Sequence, residues 1–479
     1  MALADICARY FTDTWHKAGK TFQISSPASG EVLAEVADCG ADEAAQAAET
    51  ATRAFEAWRK TTAFERSELL TRWHDLILAN QEALARTMTQ EMGKPIKESR
   101  GEVAYSAGFV RWYAEEAKRV YGETVPSHVA TKRLLAIRQP VGPVFAVTPW
   151  NFPSAMITRK AAPALAAGCT FISKPAEQTP LSALHLAALW EEAGGPAGTL
   201  QVLPCQDPAD VAETLMSDPR VRKLSFTGST EVGKRLYAQA ADTVKRLSLE
   251  LGGHAPFLVF EDADIDKCVK EVMASKYRNS GQTCVCANRI YVQRPVLERF
   301  SEAYAQAAAA LKVGDPLDDD TDIGPLVNEQ GLKKVKAHVQ DALNKGAKVV
   351  TGGSALDGLY FEPTVLAHVS DDMQLMSEET FGPVAPIIAF DTAEEAVQMA
   401  NNTPFGLAAY LYTNDLSRAF EVAEALEYGI IGVNDGLPSA PYIPFGGVKQ
   451  SGLGREGGHW GIEEYLEVKY ISLGLPGAG

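Results

Sequence analysis

The sequence predicts an α/β protein with a doubly wound parallel-sheet domain, a second α/β domain and a small β extension. Three observations predict it. From Val141 onward, apolar runs of strand length alternate with helical segments, and after Leu251 the same alternation starts again. Two β-like stretches, near 132–138 and 467–471, stand outside both series. The chain has 479 residues, about three times a usual domain, which accommodates two or three cooperating units.

After a short polar start, Ala44, Ala48, Ala51, Phe55 and Trp58 keep a helical period, and Leu69, Leu70, Trp73, Leu76 and Ile77 do so again. Gly93-Lys94-Pro95 breaks the run before a longer helix that ends near Tyr121-Gly122. The first parallel series is read at 144–148, 170–173, 200–203, 223–226 and 246–251, with helices over 155–167 and 181–193. Strands apolar along their whole length and separated by helices are buried on both faces. Such sheets bind ligands at the carboxyl ends of their strands. The second series places strands at 256–260, 289–292, near 348–350 and at 387–390, with a helix over 297–311. The tail Glu467-Val468-Lys469-Tyr470-Ile471 reads as a lone strand that needs a partner, and the Gly- and Pro-rich stretch 436–458 as a structured loop. No repeat of 20–50 residues is present.

The hydrophobic fraction of 46% and charged fraction of 22% are ordinary globular values and exclude disorder and coiled-coil or collagen-like repetition. Lys+Arg 45 against Asp+Glu 61 gives a net charge of −16. A surface that negative repels nucleic acid and anionic membranes, so neither is an expected partner. A local basic pocket for a small anionic substrate remains compatible with it. No run reaches the ~18 apolar residues of a membrane helix. The start Met1-Ala2-Leu3-Ala4-Asp5 has neither the basic nor the apolar region of a signal peptide. Seven scattered cysteines are poor material for a disulfide framework or a zinc site. A cytoplasmic, reducing location without a metal site is the expectation.

Four motifs carry chemistry. The run from Gly228 to Lys234 satisfies G-x-x-x-x-G-K, the front of a phosphate loop, but Arg235 stands where Mg²⁺ needs a hydroxyl. An Mg-ATPase with Glu261 or Asp262 as its acid is therefore the alternative of another class. A strand, then Thr227-Gly228-Ser229-Thr230, then a helix also leaves N–H groups facing a dinucleotide pyrophosphate, or forms a plain N-cap turn. Lys174-Pro175-Ala176-Glu177 follows the second strand; an acid there accepts from both adenosine-ribose hydroxyls and repels a 2′-phosphate, or is a surface turn. Asn279 to Cys286 surrounds Cys284 with Gly and small polar residues, as an attacking thiolate requires, with Glu250 at a strand end as candidate base. Thr148-Pro149-Trp150-Asn151-Phe152-Pro153 holds an amide between prolines, suited to a developing oxyanion or to a packed loop.

Pro149 to Pro153, Phe226 to Ser229, Leu249 to Gly253, Gly281 to Cys284, Glu379-Thr380-Phe381-Gly382-Pro383 and Pro444 to Gly447 together resemble the aldehyde dehydrogenase superfamily, in its order and over essentially the whole chain. The resemblance implies residues 1–121 and 141–251 as an NAD-binding domain, 252–460 as the catalytic domain, and 122–140 with 461–479 as segments that join subunits into a homodimer or homotetramer. It implies Cys284 as the nucleophile forming a thiohemiacetal and then a thioester, Asn151 with the Cys284 N–H as oxyanion hole, and Glu250 as base. Lys160 falls in the same catalytic set. Trp150, Lys174, Glu177, Thr227, Gly228, Ser229, Glu379 and Phe381 match cofactor positions, with Glu177 favouring NAD over NADP. Thr283 to Asn288, Ser451 to Gly457 and Gly461 to Glu467 are most similar to the succinate-semialdehyde dehydrogenases, in which two arginines and a serine hold the substrate carboxylate. Arg159, Arg278 and Ser439 stand at those positions. The loop Leu437 to Ile443 departs from the pattern with extra prolines and Tyr442, which leaves glutarate semialdehyde or a sulfonated or phosphonated aldehyde as alternatives. Cys286, two residues past the nucleophile, matches a position that pairs reversibly with it in some members.

Overall fold

The computed structural model describes residues 3–475; residues 1–2 and 476–479, the latter within the expected terminal segment, lie outside the described residues. Five parallel strands form the centre of an eight-stranded sheet, in the order Arg246–Glu250, Lys223–Thr227, Val144–Val147, Phe171–Lys174, Leu200–Val202. Gly452–Leu453 adds antiparallel at one edge. At the other edge Arg9–Phe11 and then Trp15–Lys17 do the same, so the polar start joins the sheet. The chain winds outward from Val144–Val147 in one direction and then returns to its other side with Lys223–Thr227. The crevice beyond the paired Val147 and Phe226 is therefore the switch point at which doubly wound sheets bind ligands.

A second sheet runs in the order Lys348–Thr351, Thr364–Ala367, Val384–Phe390, Ala287–Gln293, Ala255–Val259, Ala408–Tyr412, Ile430–Val433, parallel except at its first strand. Its own reversal lies between Ala255–Val259 and Ala408–Tyr412. Both sheets bury side chains on both faces in period two. Val144 and Ala146 belong to one apolar cluster and Phe145 to another. Phe257 and Val259 likewise face away from Leu258. Each fully buried Phe, Leu or Val contributes about 1.5–3 kcal/mol.

The tail strand finds its partner inside the chain. Leu466–Gly474 pairs antiparallel with Lys132–Pro140 along nine residues, and Glu123–Val125 completes a three-stranded sheet. Among the described residues no helix is long and apolar enough to cross a membrane.

One buried side chain ties the second sheet to the site. The Arg289 guanidinium donates to the carbonyl of His254 at 2.9 Å, of Ala400 at 2.9 Å and of Met399 at 3.2 Å, and to the Tyr428 hydroxyl at 2.9 Å. It thereby fixes the chain one residue beyond Gly253. Arg289→Met leaves buried acceptors unpaired and is expected to cost on the order of 3 kcal/mol, read as a lower urea midpoint. An unchanged midpoint would show that these carbonyls find other donors.

Candidate active site

Two loops meet between the sheets. One follows Val144–Val147 and carries Trp150 and Asn151 into the helix Ala155–Ala167. The other follows the helix Ile265–Tyr277 and turns through three consecutive left-handed residues, Asn279, Ser280 and Gly281 (φ 53°, 55° and 76°), before Cys284 and the strand Ala287–Gln293. Glycine is required at Gly281, because a Cβ there would lie 2.2 Å from the Gly382 carbonyl oxygen. Gly253 is equally constrained, since its Cβ would stand 2.5 Å from the Cys284 carbonyl oxygen. The loops are joined by hydrogen bonds: the Asn151 amide donates to the Gln282 carbonyl at 3.1 Å, and the Asn279 amide to the Asn151 carbonyl at 3.1 Å.

Two cavities of about 350 Å³ each open here. The first is lined by Trp150, Asn151, Thr227, Gly228, Ser229, Gly252, Glu379 and Phe381; the second by Tyr105, Phe152, Arg159, Arg278, Ser439 and Phe445. Cys284 lines both. It is the one cysteine of the seven that is partly exposed, the other six being buried. Burial and then the Glu379 carboxyl push the Cys284 thiol up to about 12, with Arg159 and Arg278 pulling the other way. Glu250 ends the strand Arg246–Glu250, and neither of its buried carboxyl oxygens has a protein hydrogen-bond partner. Burial, and next the Glu456 charge, hold that carboxyl well above its usual range, while Arg159 and Lys160 oppose the shift. Glu456 itself is clamped by Arg159 at 2.5 Å and by Lys160. Burial also pushes Glu379 up to about 8.

In the second cavity Ser439 shares a 2.6 Å hydrogen bond with the Tyr105 hydroxyl. The Arg159 guanidinium lies 4.0 Å over the Phe445 ring, and its Nη2 and the Arg278 Nε have no partner. Tyr442 is not on this wall; it packs against Trp112 in a separate cleft. Cys286 also points elsewhere: fully buried, its thiol donates to the Gly281 carbonyl at 3.4 Å and lies 3.8 Å from the Lys276 ammonium. Lys160 is buried on Glu456, outside both cavities. Glu177 lines a separate cleft with Gln178 and Gln206, Lys174 stands 3.5 Å from its carboxylate, and neither lines the first cavity.

The first cavity fits a dinucleotide. Thr227 Oγ1 and Glu379 Oε1 are buried there without partners, and Gly228 and Gly252 keep its floor open. Ser229 caps the helix Thr230–Ala240 by accepting from Val232 N–H, so a positive helix end faces the space. The phosphate-loop resemblance does not extend further. Lys234 bonds Gln450 at 2.8 Å, and Arg235 pairs with Glu231. Glu261 and Asp262 follow a strand of the other sheet, where Asp262 holds Thr413, Asn414 and Arg418.

The sequence profile described as the aldehyde dehydrogenase family matches residues 15–471. The chain belongs to the aldehyde dehydrogenase family. This aldehyde dehydrogenase is 54% identical over 459 residues to the NADP(+) succinate-semialdehyde dehydrogenase of Escherichia coli, covering 95% of each chain. It is 53% identical over 468 residues to a glutarate-semialdehyde dehydrogenase of Pseudomonas putida, covering 97% of each. A crystal structure of an aldehyde dehydrogenase from Brucella melitensis biovar abortus superposes with a TM-score of 0.97 at 54% identity over 98% of each chain. The enzyme is an NAD(P)-dependent oxidoreductase that converts an aldehyde to a carboxylic acid.

Sequence reasoning missed Lys94, Glu98, Glu102, Tyr105 and Glu456 around the site. Lys94 and Glu102 are eight residues apart, but the other contacts that bring these five to the site, from Asn151 and Ser154 to Asn279 and Ser439, lie 52 or more positions away. A thiol held above its usual range is mostly protonated at neutral pH, and its thiolate fraction grows about tenfold per pH unit below the pKa. Alkylation of Cys284 by iodoacetamide, followed by peptide mass, is therefore expected to accelerate without levelling between pH 6 and 9. A plateau in that window would show a thiol already ionised.

Proposed function

We propose that this aldehyde dehydrogenase oxidises a short aldehyde carrying a distal anionic group, succinate semialdehyde foremost, with NAD as the preferred cofactor. The observation that carries this reading is the position of Cys284 on the shared wall of two cavities, one suited to a dinucleotide and one bearing two guanidinium groups. Glutarate semialdehyde is the second reading, favoured by a relative as similar as the succinate-semialdehyde enzyme.

Cys284 Sγ attacks the aldehyde carbon as Glu250 takes the thiol proton. One Asn151 N–H is committed to Gln282; the other, with the Cys284 main-chain N–H, holds the oxyanion. Bound dinucleotide supplies a hydride acceptor, and loss of that hydride from carbon turns the thiohemiacetal into a thioester. Glu250 releases the thiol's proton to solvent, then draws a proton from water as its oxygen adds to the thioester carbonyl, and returns that proton to the departing thiolate, freeing the carboxylic acid and the thiol. The Lys160–Glu456 pair sets the field in which Glu250 changes charge. Arg159, Arg278 and Ser439 grip the distal carboxylate, a bidentate geometry that lysine does not reproduce. Trp150, Thr227, Gly228, Ser229, Glu379 and Phe381 hold the cofactor, and Lys174 and Glu177 its adenosine ribose.

The domain division follows the two sheets, with 1–121 and 141–251 as the NAD-binding unit and 252–460 as the catalytic unit. Leu466–Gly474 is an outer strand with Val468, Tyr470 and Leu473 exposed, an edge suited to joining subunits into a dimer or tetramer. A reducing, cytoplasmic setting is the reading that the odd and scattered set of seven cysteines in the sequence supports. Reversible pairing of Cys284 with Cys286 requires Cys286 to leave its Gly281 and Lys276 contacts, so oxidation is coupled to movement of that loop.

Initial rates across acetaldehyde, succinate semialdehyde and glutarate semialdehyde, each with NAD and NADP, test the reading; a preference for acetaldehyde removes the carboxylate grip, and a preference for NADP removes the role of Glu177. Cys284→Ala is expected to abolish NADH formation while NAD still quenches tryptophan fluorescence. Arg278 has no ion-pair partner among the described residues, so Arg278→Leu is expected to lower kcat/KM for the anionic aldehyde about a hundredfold and leave that for acetaldehyde nearly unchanged. Equal losses on both substrates would place Arg278 outside recognition.

A further inference from the structure

We propose that Lys94 is a positioning residue, whose buried ammonium fixes the main-chain carbonyl of Asn151 and so aims the Asn151 side-chain amide at the oxyanion formed on Cys284. This rests on the reading of Asn151 as oxyanion donor. Lys94 touches neither the substrate cavity nor the cofactor cavity, so it acts through Asn151 and not on the reacting atoms.

The local chain explains how a lysine comes to stand there. Gly93 ends the helix Gln81–Met92 in a left-handed conformation (φ 86°), and Pro95 starts the helix Ile96–Glu116. The sharp reversal between them turns Lys94 inward, where its side chain is fully buried. Its Nζ has three neighbours: the Glu102 carboxylate, the Asn151 carbonyl oxygen at 2.8 Å and the face of the Phe152 ring at 3.8 Å. Glu102 completes the clamp, because its other oxygen accepts from the N–H groups of Ser154 at 3.0 Å and Ala155 at 3.2 Å. One buried ion pair therefore grips both ends of the segment from Asn151 to Ala155.

What this grip controls is one torsional freedom. The Asn151 carbonyl accepts from Lys94 on one side and from the Asn279 amide on the other, which sets its peptide plane relative to the cysteine loop. The Asn151 amide then reaches Gln282 with one N–H and leaves the second for the oxyanion. Without Lys94, the peptide is held from the cysteine side alone. A donor displaced by about 1 Å from a developing charge forfeits up to a hundredfold in rate. A buried ion pair contributes little net stability over an apolar replacement, so stability is not its main yield.

Lys94→Met alone would strand a buried carboxylate, so the comparison is made within Glu102→Gln, which retains an acceptor for Ser154 and Ala155. Adding Lys94→Met to Glu102→Gln is expected to lower kcat for succinate semialdehyde at least tenfold, with the NAD dissociation constant unchanged. In an Asn151→Ala background the same addition is expected to change kcat less than twofold, since no amide remains to be aimed. An equal fall in both backgrounds, or no fall in either, overturns the proposal while leaving the oxyanion reading intact. Asn151→Ala by itself is expected to cost a hundredfold or more; if it leaves kcat unchanged, the oxyanion reading fails and the proposal with it. Should the Lys94→Met protein not fold, Lys94→Arg keeps the charge beside Glu102 but displaces the donor. Its loss of kcat is expected only where Asn151 is present, and an equal loss in the Asn151→Ala background overturns the proposal.

Discussion

The whole arrangement depends on two backbones approaching more closely than any side chain allows. Gly253 leaves the first sheet directly against the Cys284 carbonyl, and Gly281 turns against Gly382 with no room for a methyl group. These contacts bring a thiol at the amino end of the strand Ala287–Gln293 beside an amide, 133 positions away, that follows the carboxyl end of Val144–Val147 in the other sheet. Doubly wound sheets leave a crevice where their strand order reverses. Here that crevice of the first sheet faces the amino ends of the second sheet's strands, and the glycines set the distance between them. The left-handed run at Asn279, Ser280 and Gly281 is strain stored for this purpose, offset by the Glu98 carboxylate, which accepts the Asn279 N–H at 2.7 Å.

Charge inside the site follows a different logic from charge outside it. The surface is acidic, with a net charge of −16 for the chain, yet four cationic side chains, Lys94, Arg159, Lys160 and Arg278, gather around the cysteine. Three are paired with carboxylates, Lys94 with Glu102 and the other two with the single charge of Glu456. Arg278 has the Phe152 face beneath it and the more distant charge of Glu98. A cation without a close ion pair among the described residues thus stands on the wall of the second cavity, where an incoming anion finds it. The first cavity carries both an acid, Glu379, and a lysine, Lys334, and shares only Cys284 with the second. The two spaces thus meet at one side chain.

Much of this was legible in the sequence because it is written locally. The parallel strands are short apolar runs, and period two within them separates the clusters on their two faces, as Val144, Phe145 and Ala146 illustrate. The loops carrying Asn151, Ser229 and Cys284 announce themselves by glycine and proline. The N-terminal strands were missed because Arg9–Phe11 and Trp15–Lys17 are three residues each, too short for a period to register. The tail was recognised as a strand, but its partner, Lys132–Pro140, is more than 300 positions away. The same distance problem hid Glu456, which clamps Arg159 and Lys160 from across the chain. Lys94 was visible only as part of a helix break; nothing in Gly93-Lys94-Pro95 reveals that the reversal drives a charge inward.

The loop from Leu437 to Ile443 shows how a departure from a family pattern acquires meaning only in space. Its Pro441 lies against the helix Ile96–Glu116, where a Cβ on Gly108 would meet it at 3.0 Å, and Tyr442 continues that contact onto Trp112. The bulky residues therefore face away from Cys284, and only Leu437, at the start of the loop, and Ser439 reach the cavity. Two prolines that flank Ser439 at one and two residues restrict its backbone, and the 2.6 Å bond to Tyr105 restricts its side chain. A wall fixed at both points does not yield to a longer substrate. Discrimination between aldehydes that differ by one methylene then falls to the span between this wall and the sulfur, and a single methylene in such a space is worth about 1–3 kcal/mol. The residues that distinguish this loop thus fix where Ser439 stands without placing a bulky side chain in the cavity.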